Sequence, residues 1–160
     1  MISMLLADAD ATDTLGHALA ASRPTTAVVY LYGDLGAGKS TLARALLRGL
    51  GVQGAIRSPT YTLVERYPIP QGEAWHLDLY RIAAAAELEF LGLDEADPTL
   101  WLVEWPDRAG SALPAADLRV ELAADGPGRR VRLQAGSIVG EGWLSDLQLT
   151  DGLQALSRQS

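Results

Sequence analysis

The sequence predicts a single α/β domain in which a mixed, mostly parallel sheet is flanked by helices. Three observations predict it. Residues 27–32, Ala-Val-Val-Tyr-Leu-Tyr, are a continuous apolar run of the buried-strand type. A glycine-rich loop and an amphipathic helical pattern follow that run directly. Strand and helix patterns then alternate along the chain, as they do when one sheet lies between helices. The 160 residues make one domain, taken as residues 1–150, with a polar tail over 151–160 that is expected to fray.

The elements follow in order. Residues 10–22 read as a helix, with Asp10, Asp13 or Thr12 as its cap and Leu15, Ala18 and Leu19 as its apolar stripe. Residues 39–50 read as a second helix. Leu42, Ala45, Leu46 and Leu50 share one face, Arg44 and Arg48 the other, and Gly51 stops it. Residues 61–67 look like a strand ended by Pro68 and Pro70, and residues 74–80 like another. A helix over 83–91 precedes a short buried strand over 100–105 that Pro106 halts. Residues 118–122 and 130–133 both alternate, and Gly126-Pro127-Gly128 joins them as a hairpin. A last helix covers 141–149.

Composition excludes several functions. Thirteen Lys+Arg against twenty Asp+Glu give a net charge of −7. Such a chain does not grip nucleic acid by itself, since that binding needs a basic face to neutralise phosphates, and it does not favour an anionic membrane. There is no cysteine, which removes disulfides, thiolate nucleophiles and Cys-ligated zinc. There is no asparagine, and Lys39 is the only lysine. The N-terminus lacks a basic region before its apolar residues, and Asp8 and Asp10 interrupt it. It does not read as a signal peptide, and the expected location is the cytoplasm.

The segment Gly33-Asp34-Leu35-Gly36-Ala37-Gly38-Lys39-Ser40 fits G-x-x-x-x-G-K-[ST], between an apolar strand and an amphipathic helix. The chemistry requires these residue types. Glycines let backbone N–H groups turn inward as an anion nest, and the helix N-terminus adds a favourable dipole. Lys39 reaches the β- and γ-phosphates of a nucleotide, and the Ser40 hydroxyl reaches Mg²⁺. The motif refines the fold to the P-loop NTPase type.

Hydrolysis needs a second metal contact and a group that places water. In 75–80, alternation puts His76, Asp78 and Tyr80 on one face. In 100–105, four apolar residues lead into Glu104. An acid at a strand end is ordinarily a solvated loop charge, but the carboxyl ends of strands are where α/β domains bind ligands. Ser58-Pro59-Thr60 is either a turn before a strand or a mobile loop whose Thr senses the γ-phosphate.

Taken together, residues 33–41, Ser-Pro-Thr-Tyr-Thr-Leu-Val-Glu (58–65), His-Leu-Asp-Leu-Tyr-Arg (76–81), Glu-Leu-Glu-Phe-Leu-Gly-Leu (87–93) and Leu-Val-Glu-Trp-Pro (102–106) resemble the TsaE family, also called YjeE. The resemblance runs from about Asp10 to Arg132. It implies a bacterial P-loop ATPase needed for threonylcarbamoyladenosine in tRNAs that read codons beginning with A. It implies ATP/ADP and Mg²⁺ as ligands and the TsaB–TsaD heterodimer as partner, with tRNA reached only through that complex and no membrane contact. Within the family, TsaD transfers the threonylcarbamoyl group and the TsaE ATPase supports repeated turnover. Residue by residue, it implies that Gly33 and Gly36, Ala37, Gly38, Lys39, Ser40 and Thr41 hold phosphates, and that Ser40 and Glu104 hold Mg²⁺. It implies that Asp78 and Glu104 serve hydrolysis and that Thr60 acts as a switch. Thr12 sits near the family's adenine-side position, though a helix cap is an equal reading. Arg130 falls where the family often carries a basic residue near the nucleotide, but its alternation with Val131 in a hairpin makes a solvated strand charge the stronger reading.

Two other classes stay open: a small-molecule kinase with a P-loop, and a nucleotide-dependent scaffold without useful hydrolysis. A GTPase of the Asn-Lys-x-Asp type and a protein kinase are excluded, because both need an asparagine.

Overall fold

The computed structural model describes residues 1–95 and 97–159. Seven strands form one sheet: β1 (Ile2–Leu6), β2 (Ala27–Tyr32), β3 (Val64–Ile69), β4 (Gly72–Asp78), β5 (Leu100–Glu104), β6 (Leu118–Asp125) and β7 (Gly128–Ala135). Their spatial order is β1-β7-β6-β2-β5-β4-β3. The four central strands β6, β2, β5 and β4 run parallel. The outer pairs β1/β7, β6/β7 and β3/β4 are antiparallel. The sheet is therefore mixed and parallel at its centre, as expected.

The period-2 pattern of each strand sorts its side chains onto two faces. Val29, Leu31, Leu100 and Leu102 face a core shared with α1 (Ala9–Ser22), α2 (Lys39–Gly49), α3 (Ile138–Gln148) and α4 (Asp151–Gln159). Val28, Trp101, Val103, Trp75 and Leu77 face the other way, onto Leu79, Ile82, Leu88 and Ala109. On that second face the cover is short 3₁₀ turns, at Ala85–Leu91 and Pro106–Ala109, instead of α-helices. Residues 83–91, expected as an ordinary helix, thus form a tighter one. The Glu87 carboxylate accepts the backbone N–H groups of Ala83 and Ala84 at its start, which holds that carboxyl below its ordinary pKa.

Helices α1 and α2 pack closely because Gly16 has no side chain. A Cβ there would lie 2.3 Å from the Cβ of Ala45. Helix α2 ends as expected at Leu50–Gly51, where Gly51 takes φ 92° and the Val52 N–H returns to the Leu47 carbonyl.

Several boundaries differ from the sequence reading. Asp8, not Asp10, Asp13 or Thr12, caps α1, accepting the Ala11 N–H at 2.9 Å. Residues 61–63 belong to a turn, and β3 continues through Pro68. Proline is tolerated there because β3 is an edge strand with a free N–H side. Ile2–Leu6, which had no assignment, is the opposite edge strand. Residues 151–159, expected to fray, form α4, with Leu153 and Leu156 buried in the core. Among the described residues, no helix is long and apolar enough to cross a membrane.

Candidate functional site: a phosphate loop between an acidic and an arginine flank

The loop after β2 turns on glycines. Gly36 and Gly38 take φ 79° and 106°, values that residues with a Cβ rarely adopt. Gly38 is the N-cap of α2 and brings no side-chain cap with it. The first N–H groups of α2 are therefore available to an anion. Lys39 lies almost buried, 4% exposed, and folds back over the loop. Its Nζ donates to the carbonyls of Gly33 (2.6 Å) and Asp34 (2.9 Å). The same ammonium sits 4.8 Å from the centre of the Trp105 ring. Burial lowers the Lys39 pKa, while the carboxylates of Glu104, Asp78 and Asp34 act in the opposite direction. Trp105 reaches this position through a left-handed backbone, φ 56° and ψ 51°, just beyond β5.

On one side of the loop lies an acidic flank. The parallel register sets Asp78 of β4 beside Glu104 of β5. Both share the helix-side face with Ala74 and Leu100, so both point toward α2. The Ser40 hydroxyl is 2.9 Å from each Glu104 carboxylate oxygen. Asp78 accepts the Tyr80 N–H at 3.1 Å and the Thr60 hydroxyl at 3.3 Å. Thr60 is also 2.7 Å from the Ser58 hydroxyl. The structure thus gathers Lys39, Ser40, Thr60, Asp78 and Glu104, residues far apart in the chain. It adds His76, which the sequence placed on the correct face without giving it a role. His76 Nε2 is 2.7 Å from Glu104 Oε2.

Among the described residues, no group of three or more His, Cys, Asp or Glu could hold a metal alone. Ser40 and Glu104 nevertheless supply hard oxygen donors next to the phosphate nest. That fits Mg²⁺, which takes one or two protein oxygens and fills its shell with phosphate and water.

On the other side lies an arginine flank. Arg130 pairs with Asp125 at 2.9 Å in the open, the solvated strand charge that its alternation with Val131 favoured. Arg129 is the residue that reaches the loop, donating to the Gly36 carbonyl at 3.2 Å. Strand parity explains it. Residues 129, 131 and 133 share one face, and Val131 and Leu133 lie in the helix-side core. That parity was readable from the sequence, had the buried partners been known. Arg129, Gly38, Thr41, Thr12, Asp8 and Leu6 line a cavity of about 270 Å³. Thr12 is buried there and does not cap the helix. A larger cleft of about 380 Å³ on the opposite sheet face holds Arg130 and Arg132, and meets the loop only at Gly33 and Asp34.

The sequence model of the family described as "Threonylcarbamoyl adenosine biosynthesis protein TsaE" matches residues 6–131. A Haemophilus influenzae protein named tRNA threonylcarbamoyladenosine biosynthesis protein TsaE is 44% identical over 120 residues, covering 74% of this chain and 76% of its own. A Synechocystis protein of the same name is 42% identical over 113 residues, covering 67% and 71%. The crystal structure of Bacillus subtilis YdiB superposes with a TM-score of 0.78 at 26% identity, covering 92% of this chain and 93% of that one. The matched span includes the phosphate loop, both acidic strand ends and the start of β7. The chain belongs to the TsaE family of threonylcarbamoyl adenosine biosynthesis proteins.

Proposed function

We propose that this protein binds ATP at the 33–41 loop, hydrolyses it slowly, and through that cycle supports threonylcarbamoyladenosine formation by the TsaB–TsaD heterodimer. The tRNAs concerned would be those reading codons that begin with A. The observation that carries the reading is the Ser40–Glu104 contact at the mouth of the phosphate loop, beside the buried Lys39.

The residues divide the work. Backbone N–H groups at the start of α2 hold phosphate oxygens, and Lys39 exchanges its two carbonyl partners for them. Ser40 and Glu104 would hold Mg²⁺, which when bound neutralises charge on the phosphates. Asp78 accepts a proton or a hydrogen bond from the attacking water, and Thr60, already bonded to Asp78, ties the 58–63 loop to that acid. Thr12, Thr41 and Arg129 line the neighbouring cavity for the rest of the nucleotide.

Hydrolysis by the isolated protein is slow in this reading. Arg129, bonded to the Gly36 carbonyl, lies on the flank away from the acids. An arginine placed on the transferring phosphoryl is worth about 10³–10⁵ in rate, and the partner complex is where such help would come from. The net charge of −7 equally directs tRNA contact through the partners. The kinase alternative draws no support, because Arg130 and Arg132 are ion-paired along β7 and form no lid. The test is reconstitution: adding this protein and ATP to TsaB–TsaD should raise the number of tRNAs modified per complex, and Lys39→Ala should not. An active system indifferent to this protein would remove the assignment.

A further inference from the structure

We infer that His76 is a positioning residue: it anchors one oxygen of Glu104 and leaves the other, Oε1, to serve a cation at Ser40. This rests on the reading of the loop as a Mg-nucleotide site. His76 is 1% exposed, on the helix-side face of β4. Its Nε2 lies 2.7 Å from Glu104 Oε2. Its Nδ1 is equally buried and has no hydrogen-bond partner among the described residues. A carboxylate oxygen accepts, so Nε2 donates in this bond, and Nδ1 is the ring nitrogen left without a partner. Leaving that polar atom unmatched in the core is a cost that leucine in the same place would not carry. The one thing the imidazole supplies in return is its bond to Glu104.

That bond breaks a symmetry. The Ser40 hydroxyl is 2.9 Å from both Glu104 oxygens and does not distinguish them. His76 touches Oε2 alone, which makes the two oxygens inequivalent. When Ser40 turns its oxygen to a cation, His76 still holds Oε2 and Oε1 is the free donor. Asp78 follows a different path: its partners are Thr60 and the Tyr80 N–H, so His76 acts through Glu104 alone. Groups that orient a metal ligand in this way typically affect metal affinity by about 10–100-fold.

The experiment measures ADP affinity by calorimetry with and without Mg²⁺ and takes the ratio as the metal coupling. For His76→Ala, metal-free affinity should stay within about twofold while the coupling falls about 10-fold or more. His76→Gln, whose amide N–H can occupy the place of Nε2, should restore most of the coupling, and His76→Leu should not. Unchanged coupling in folded His76→Ala or His76→Leu overturns the inference. So does an equal loss with and without Mg²⁺, the mark of a general packing defect. If His76→Ala fails to fold, the Gln and Leu pair decides. A parent protein whose ADP affinity ignores Mg²⁺ would overturn the reading of the site itself, before any variant is compared.

Discussion

The two flanks of the phosphate loop are built by different kinds of strand pairing, and they make different contacts. The acidic flank stands at the ends of parallel β4 and β5, where Asp78 and Glu104 are register partners and both are buried. Its contacts run mostly between side chains, with Ser40, His76 and Thr60 on two carboxylates, and the Tyr80 N–H adds one backbone donor to Asp78. The arginine flank stands at the start of β7 in the antiparallel β6/β7 hairpin. Arg129 there is half-buried and, among the described residues, donates hydrogen bonds to backbone carbonyls alone, those of Gly36 and Gly128. Buried acids in a low-dielectric site interact strongly with a cation, while a half-exposed arginine is partly screened by water. The acidic flank should therefore govern everything that depends on the metal, and the arginine flank should contribute affinity that ignores it.

The largest effect belongs to the residue between the flanks. Lys39→Ala removes the ammonium that now holds two carbonyls, each bond to a charged group being worth about 1.5–3 kcal/mol. Nucleotide affinity should fall by at least about 10²-fold, with or without Mg²⁺, and the circular dichroism of the fold should persist. Since Lys39 is the sole lysine, Mg-nucleotide should also shield its amine from labelling. Next come the acids. Glu104→Ala and Asp78→Ala should each slow hydrolysis by about 10²-fold, the usual result of deleting a preorganised charge, while ADP affinity without metal barely moves. If either variant hydrolyses ATP at the parent rate, that acid does not belong to the flank.

Arg129→Ala should weaken nucleotide binding by about 10-fold, as the loss of one charge-assisted bond implies, and by the same factor with and without Mg²⁺. A loss confined to Mg²⁺-containing solutions would erase the contrast between the flanks. The smallest effect should come from Arg130→Ala. Its exposed pair with Asp125 is worth less than about 1 kcal/mol of stability, and nucleotide affinity should change by less than about twofold. A larger effect on affinity than that of Arg129→Ala would restore Arg130 to the site.

What could be read from the chain was local. Gly36 and Gly38 are required wherever the backbone enters the left-handed region, and the apolar run of 27–32 followed by the stripe of 39–50 places a strand, a loop and a helix before any tertiary contact forms. Alternation likewise set His76 and Asp78 on one face and located the hairpin, though its strands run further, over 118–125 and 128–135. Beyond that range, sequence patterns ran out. Period 2 says that Arg129 and Arg130 face opposite ways; it does not say which way is inward until Val131 and Leu133 meet the helices. The tail over 151–159 looks polar because only Leu153 and Leu156 face the core, and its ordering as a helix depends on the surface it docks against. Pro68 remains in a strand because β3 is an edge, which is a property of the sheet and not of the residue. The site itself has the same character. Ser40 meets Glu104 across 64 positions and His76 meets it across 28, because a parallel register, which no local pattern encodes, brings the two strand ends to the mouth of one loop.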